Sequence, residues 1–361
     1  MKARTWMLAG VGAAVGIAAF AACGGDDSTD ATADGGPDSG LVDTRLPGDA
    51  ETLDASVDGG SDGSAITDAA PEASCADGSF CFAGHLYVAN FSNGSGGFLG
   101  IYDNPIGPDA GAAFSLGADA GLIAPQDIAY EPTSNTLAVT DFAGKVQLFT
   151  APVGPASLPT TTLTVAFTPV AAAFDASGNL YVTQFAGRLT MYPPPYSDGN
   201  AANVTIVVPS FDNLFGASID PTGSRLAIAG VATGGGTAGV AIFNTPLTAA
   251  SLPVASFGNA AVGYYGGVAV QAGSGKVYAS HTQTGPVEIY VPPFTDGGAA
   301  ATTINPAGAT GVWHLRFTPA GDLLAPNSNN GLFVVDPANP SVARVKITSG
   351  IDDVRGAAIA P

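Results

Sequence analysis

Basic residues are scarce in this chain: 11 Lys and Arg stand against 30 Asp and Glu over 361 residues, a net charge of −19. Nucleic-acid binding draws on a basic surface to neutralise phosphates, so this balance argues against it. Cysteine is scarcer still, with only Cys23, Cys75 and Cys81. Without more thiols or a neighbouring histidine cluster, a structural zinc centre is disfavoured. The loops of common nucleotide and acyl chemistry are missing as well. No G-x-S-x-G elbow is present, which removes the usual setting for an activated serine. Gly273-Ser274-Gly275-Lys276 lacks both the earlier glycine and the following Ser or Thr of a phosphate loop, so it reads as a hairpin turn. Beyond the first residues no apolar run reaches membrane-spanning length.

What the chain does have begins with Lys2 and Arg4, followed by an uncharged run from Trp6 to Ala22 and then Cys23. Residues 1 to 22 are expected to be a signal peptide. Small residues directly before a cysteine resemble the bacterial lipobox, and this resemblance implies that Cys23 is diacylated and becomes the new N-terminus. Gly24 in place of an aspartate implies, by resemblance to enterobacterial sorting, an outer-membrane destination in the cell envelope. An uncleaved anchor or plain secretion would export the domain equally well.

Residues 24 to 74 carry 13 acidic residues against the single Arg45, among Gly, Ser, Thr, Ala and Pro. Such a segment has too little apolar surface to offset its ordering entropy, and its like charges repel. With Cys23 it is expected to form a disordered acidic tether over residues 23 to 74. Asp58-Gly59-Gly60 and Asp62-Gly63 lack the ligand spacing of a calcium loop. Lipidation of Cys23 leaves Cys75 and Cys81, which bracket a short loop where the tether ends and are expected to pair in an oxidising compartment. Two free thiols or a metal pair are the alternatives.

The remaining residues, 75 to 361, repeat. An apolar strand with a constant end recurs at Leu86 to Asn90, Leu137 to Asp141, Leu180 to Gln184, Leu226 to Gly230, Val277 to His281 and Leu323 to Asn327, with starts 43 to 51 residues apart. A second strand follows each, ending at Tyr102, Phe149, Tyr192, Phe243, Tyr290 and Val335; in the first five copies a proline stands three residues beyond. Another short strand precedes each copy except the earliest, and a spare one, Gly356 to Pro361, ends the chain. Units of about 45 residues with three clear strands and a weaker fourth are what propeller blades require. Strands apolar on both faces, such as Leu180-Tyr181-Val182, fit blades packed on both sides. An all-β fold of six blades is expected, closed by the spare strand beside His85 to Ala89.

The stretch Asp175-Ala176-Ser177-Gly178-Asn179-Leu180-Tyr181-Val182-Thr183 resembles the NHL and YVTN classes of propeller repeat. The resemblance covers residues 84 to 361. It implies kinship with binding scaffolds, TolB-like proteins or lactonases of the gluconolactonase family, and so does not select one activity.

Two aligned positions per blade are expected at one channel mouth, as exposed polar residues. The strand-end position gives Asn90, Asp141, Gln184, Gly230, His281 and Asn327, and the strand-start position gives Asp127, Ala171, Gly216, Gly267, His314 and Gly356, with Trp313 and Arg355 just before it. Asn90, Asp127, Asp141, Gln184, His281, His314 and Asn327 are the candidate ligand-binding residues. The leading expectation is a membrane-tethered binding or scaffold propeller whose partner is an envelope protein, a glycan or a small ligand. The alternative follows from the gluconolactonase resemblance: a lactone or ester hydrolase with a divalent cation such as calcium on Asp127 and Asp141, and His281 or His314 as general base.

Overall fold

A computed structural model describes residues 79 to 361 apart from 92 to 95, 108 and 235 to 236. Cys23 and Cys75 lie outside the described residues, and with them the expected lipidation site and the expected pairing to Cys81. Among the described residues no helix is long and apolar enough to cross a membrane.

The described chain forms six four-stranded antiparallel sheets arranged as the blades of a propeller. Blade 1 contains β1 (His85–Asn90), β2 (Phe98–Asp103) and β3 (Phe114–Leu116). Blade 2 runs from β4 (Pro125–Glu131) through β5 (Thr136–Asp141) and β6 (Lys145–Thr150) to β7 (Thr161–Thr164). Blade 3 is β8 (Pro169–Phe174), β9 (Leu180–Gln184), β10 (Arg188–Tyr192) and β11 (Val204–Val207). Blade 4 is β12 (Phe211–Ile219), β13 (Arg225–Ala232), β14 (Ala238–Asn244) and β15 (Ala255–Asn259). Blade 5 is β16 (Tyr265–Val270), β17 (Val277–His281), β18 (Val287–Tyr290) and β19 (Thr302–Ile304). Blade 6 is β20 (Arg316–Phe317), β21 (Leu323–Asn327), β22 (Gly331–Val335) and β23 (Ala343–Ile347). The last strand, β24 (Val354–Ala360), returns to blade 1 and pairs with β1 in the register His85 with Ala360 to Ala89 with Gly356.

Side-chain alternation explains why these strands are apolar on both faces. Leu86 and Val88 pack against blade 6, whereas Tyr87 and Ala89 pack against blade 2. The same division places Leu180 and Val182 toward blade 2 and Tyr181 toward blade 4. The core is therefore six apolar layers, one between each pair of neighbouring blades. The recurring prolines Pro105, Pro152, Pro195, Pro246 and Pro293 follow the third strand of their blades, each after a cis peptide bond. Lacking an N–H, proline there ends ladder pairing.

Around the axis the inner strands approach closely. A Cβ on Gly356 would lie 2.7 Å from the Asp127 Cα, one on Gly216 2.9 Å from the Gly267 Cα, and one on Gly267 2.7 Å from the His314 Cα. Glycine at these positions admits the neighbouring backbone.

Candidate functional site

The structure corrects the expectation of an exposed polar ring. Asp127, Asp141 and Asn327 are fully buried, and Asn90, Gln184, His281 and His314 retain at most 8% exposure. Asn90, Asp141 and Gln184 clip down the loop that leads into their own blade's inner strand, whereas Asn327 caps the turn after its own strand. Asn90 Oδ1 accepts hydrogen bonds from the backbone N–H groups of Asp352 and Asp353 at 3.0 and 3.1 Å. The Asp141 carboxylate accepts from Ile123 N at 2.7 Å and Ala143 N at 2.8 Å. Gln184 Oε1 accepts from Phe167 N at 3.2 Å, and Asn327 Oδ1 from Asn329 N at 3.0 Å. These oxygens are occupied by backbone donors, which accounts for a polar residue at the end of an otherwise apolar strand.

His281 belongs to a separate buried cluster in blade 5, with Nε2 3.4 Å from Glu288 Oε1. Glu288 also accepts hydrogen bonds from Tyr265, from Tyr290 at 2.8 Å and from Asn259 at 2.5 Å. Burial pushes its carboxyl up, but the imidazole, the hydroxyls and the amide outweigh this and hold it at about 2.

Asp127 and His314 are brought near one another: Asp127 packs against Gly356, and His314 N donates to the carbonyl of the preceding Arg355 at 3.0 Å. Asp127 Oδ2 pairs with Arg316 Nη2 at 2.7 Å and accepts from Ala172 N at 3.1 Å. Arg316 crosses the channel from blade 6: its Nε donates to Ile128 O at 3.1 Å, Nη1 to Ala217 O at 3.2 Å, and Nη2 also to Ala172 O. One guanidinium thus ties blade 6 to blades 2, 3 and 4. Among the described residues no group of three or more His, Cys, Asp or Glu is placed to hold a metal ion.

Burial lowers the His314 imidazole to about 4, with Asp127 opposing that shift and Arg316 and Arg355 reinforcing it. Neither ring nitrogen has a hydrogen-bond partner among the described residues. The unfolded chain should take up this proton near pH 6.5 and the folded chain only near 4, so stability falls as pH drops through that window. The expected slope is about 1.4 kcal/mol per pH unit. Urea midpoints measured from pH 7 to 4 should decline in the parent and level out in His314→Leu; parallel curves would exclude His314 as the source. Glu288 acts lower, between 4.5 and about 2, where protonation removes its contribution.

The surface of the mouth is built by the residues one place away from the predicted ring, as strand alternation requires. Phe91, Phe142 and Phe185 follow Asn90, Asp141 and Gln184, while Phe215, Trp313 and Arg355 precede Gly216, His314 and Gly356. Their rings meet in sequence: Phe91 to Phe142 at 5.9 Å, Phe142 to Phe185 at 5.6 Å, Phe185 to Phe215 at 5.7 Å and Phe215 to Trp313 at 6.3 Å between centroids, all edge to face. Arg355 closes the circle, its Cζ 3.8 Å from the Trp313 centroid and 4.7 Å from that of Phe91. Tyr264 extends the wall at 5.3 Å from Phe215. Gln126 and Val170 complete the lining of a cavity of about 220 Å³. A Cβ on Gly266 would lie 3.3 Å from Trp313 and collide with Thr282, so that position admits no side chain, and the aromatic on this side is Tyr264, two residues earlier.

Arg355 is not a free cation. Asp353 grips its Nε and Nη2 at 2.6 and 2.8 Å, while Asn90 holds the Asp353 backbone. The guanidinium is therefore a flat platform fixed between two aromatic faces. The repeated dipeptide of a polar strand-end residue and phenylalanine, Asn90-Phe91, Asp141-Phe142 and Gln184-Phe185, is the sequence signal that identifies this ring.

No protein-family model matches the chain, and no characterised protein matches it in sequence. Among solved structures it is similar to the crystal structure of the WD40 beta propeller domain of Doa1, with 9% identity and a TM-score of 0.50 over 71% of this chain and 76% of that one. At this identity the likeness bears on the propeller fold alone.

Proposed function

We propose that this chain is a membrane-tethered binding propeller whose aromatic mouth takes the flat face of a neutral ring, a saccharide unit of an envelope glycan above all. A propeller binding or scaffold domain is the general reading that the fold supports. The observation that carries the finer reading is the closed circle of five aromatic rings and one stacked guanidinium. Aromatic faces stack on the C–H faces of sugars, and an amphipathic rim leaves sugar hydroxyls in water. Asp353 already pairs with Arg355, and residues 75 to 361 carry a net charge of 8 − 17 = −9, so an anionic ligand is disfavoured. The leader and Cys23 support a lipid tether, which fatty-acid-analogue labelling of the parent and Cys23→Ser would test. The hydrolase alternative is not carried further, because Asp127 is committed to Arg316 and Asp141 to backbone donors.

Beyond Trp6 in the leader, Trp313 is the only tryptophan in the chain, so its fluorescence reports directly on the mouth. Titration with cellotriose, chitotriose and maltotriose is expected to give a saturable change with at least one of them. Phe142→Ala, at a ring already 38% exposed, should weaken that binding about tenfold, roughly 1.4 kcal/mol, with little effect on melting. No saturable signal from any of the three would overturn the saccharide reading.

A further inference from the structure

All six inner strands run the same way, so their starts define the aromatic mouth and their ends define a second opening. There Tyr130, Phe174, Ile219, Val270, Phe317 and Ile359 surround a vestibule of about 410 Å³. Its lining is mainly apolar; of its polar groups, the Tyr130 hydroxyl donates to Asn135 Oδ1, and the Ser218 and Thr318 hydroxyls accept from the backbone N–H groups of Val270 and Asp322, while Arg316 forms a further part of the wall.

The guanidinium that crosses the channel therefore also reaches the vestibule wall. A guanidinium has five N–H groups, and four of those on Arg316 go to Ile128 O, Ala217 O, Asp127 Oδ2 and Ala172 O. The fifth, on Nη1, has no hydrogen-bond partner among the described residues, and the side chain keeps 16% exposure. The ion pair with Asp127 cancels the charge, so what remains is one donor in mainly apolar surroundings.

We propose that this vestibule is a second binding site, separate from the aromatic mouth, for a small, neutral, mainly apolar ligand that offers one hydrogen-bond acceptor, such as a carbonyl, to Arg316 Nη1. A formal charge on the ligand would meet a paired guanidinium and low-polarity walls, and would lose hydration without a counter-ion. The cavity lies within the usual range of about 300–1,000 Å³ for small-molecule sites.

Camphor, a rigid neutral ketone, is the probe, titrated by calorimetry and saturation-transfer NMR against the full chain. Ala272 and Pro319 are exposed and line this opening, so Ala272→Trp and Pro319→Trp should narrow it without disturbing a core. Saturable camphor binding is expected, weakened at least tenfold by either variant whose melting matches the parent and unchanged in Phe142→Ala. The hydrocarbon bornane, of the same shape but with no acceptor, should bind at least fivefold more weakly. Absence of saturable camphor binding, indifference to both rim variants, or bornane binding as tightly as camphor would overturn the proposal. Saccharide binding at the mouth is scored separately by Trp313, so failure at one opening is distinguishable from failure at the other.

Discussion

Removal of residues 355 to 361 is expected to abolish the cooperative melting transition and leave an aggregating chain. Those residues are almost all of β24, the inner strand of blade 1, paired with β1 from His85 to Ala89. Ala357 packs into the layer shared with blade 6, and Ala358 and Ala360 into the layer shared with blade 2, so one deletion opens two of the six layers. It also strips the inner edge of β1, an unpaired row of backbone donors and acceptors and a template for intermolecular pairing. Domain stabilities are only about 5–15 kcal/mol. Losing a strand that locks the first blade to the last would exhaust such a margin. Deletion of residues 26 to 70, whose composition offers no core, should leave the melting temperature within about 2 °C of the parent. Calorimetry of the two deletions decides the matter: a truncated chain melting cooperatively near the parent would disprove ring closure by β24.

Blade number and closure were legible because they rest on a long-range repeat of apolar strands, and each strand's two packing faces are visible in its composition. The weak fourth strands, such as Phe114–Leu116 and Thr302–Ile304, are short and mostly exposed or half-buried, and so carry little apolar signal. The residues of the proposed mouth lie one place from those that the sequence singled out. Polar residues at Asn90, Asp141 and Gln184 suggest a wet rim when read for chemistry, yet they serve the backbone, and the neighbouring phenylalanines face the mouth. A period of two turns a one-place offset into the opposite face, and strand ends do not announce which parity points outward.

The channel crossing by Arg316 was hidden for a different reason. At its repeat position the other blades have Ala129, Ala173, Ser218, Ala269 and Ala358. Five small side chains leave the axis open and one long one fills it. The pattern is visible once the register is known, but it could not be distinguished from an ordinary surface arginine before the strands were aligned.

Arg316→Ala is accordingly expected to be among the most destabilising single substitutions in the propeller, by about 3–5 kcal/mol, the usual cost of removing one partner of a buried ion pair. The Asp127 side chain is 1% exposed and would keep its charge beside a void. Ile128 O, Ala217 O and Ala172 O would lose their guanidinium donors at the same time, loosening blade 6 from blades 2, 3 and 4. Asp127→Ala alone leaves an unpaired guanidinium with partial access to the vestibule, so it should cost less. In Asp127→Ala with Arg316→Ala the uncompensated charge disappears, and the double variant should be more stable than Arg316→Ala alone. Urea unfolding of the four proteins at pH 7 and fixed ionic strength gives the coupling energy directly. Strict additivity, or a loss below about 1 kcal/mol for Arg316→Ala, would show that the crossing arginine does not hold the ring together; strong coupling would make it the internal strut on which both openings of the channel are built.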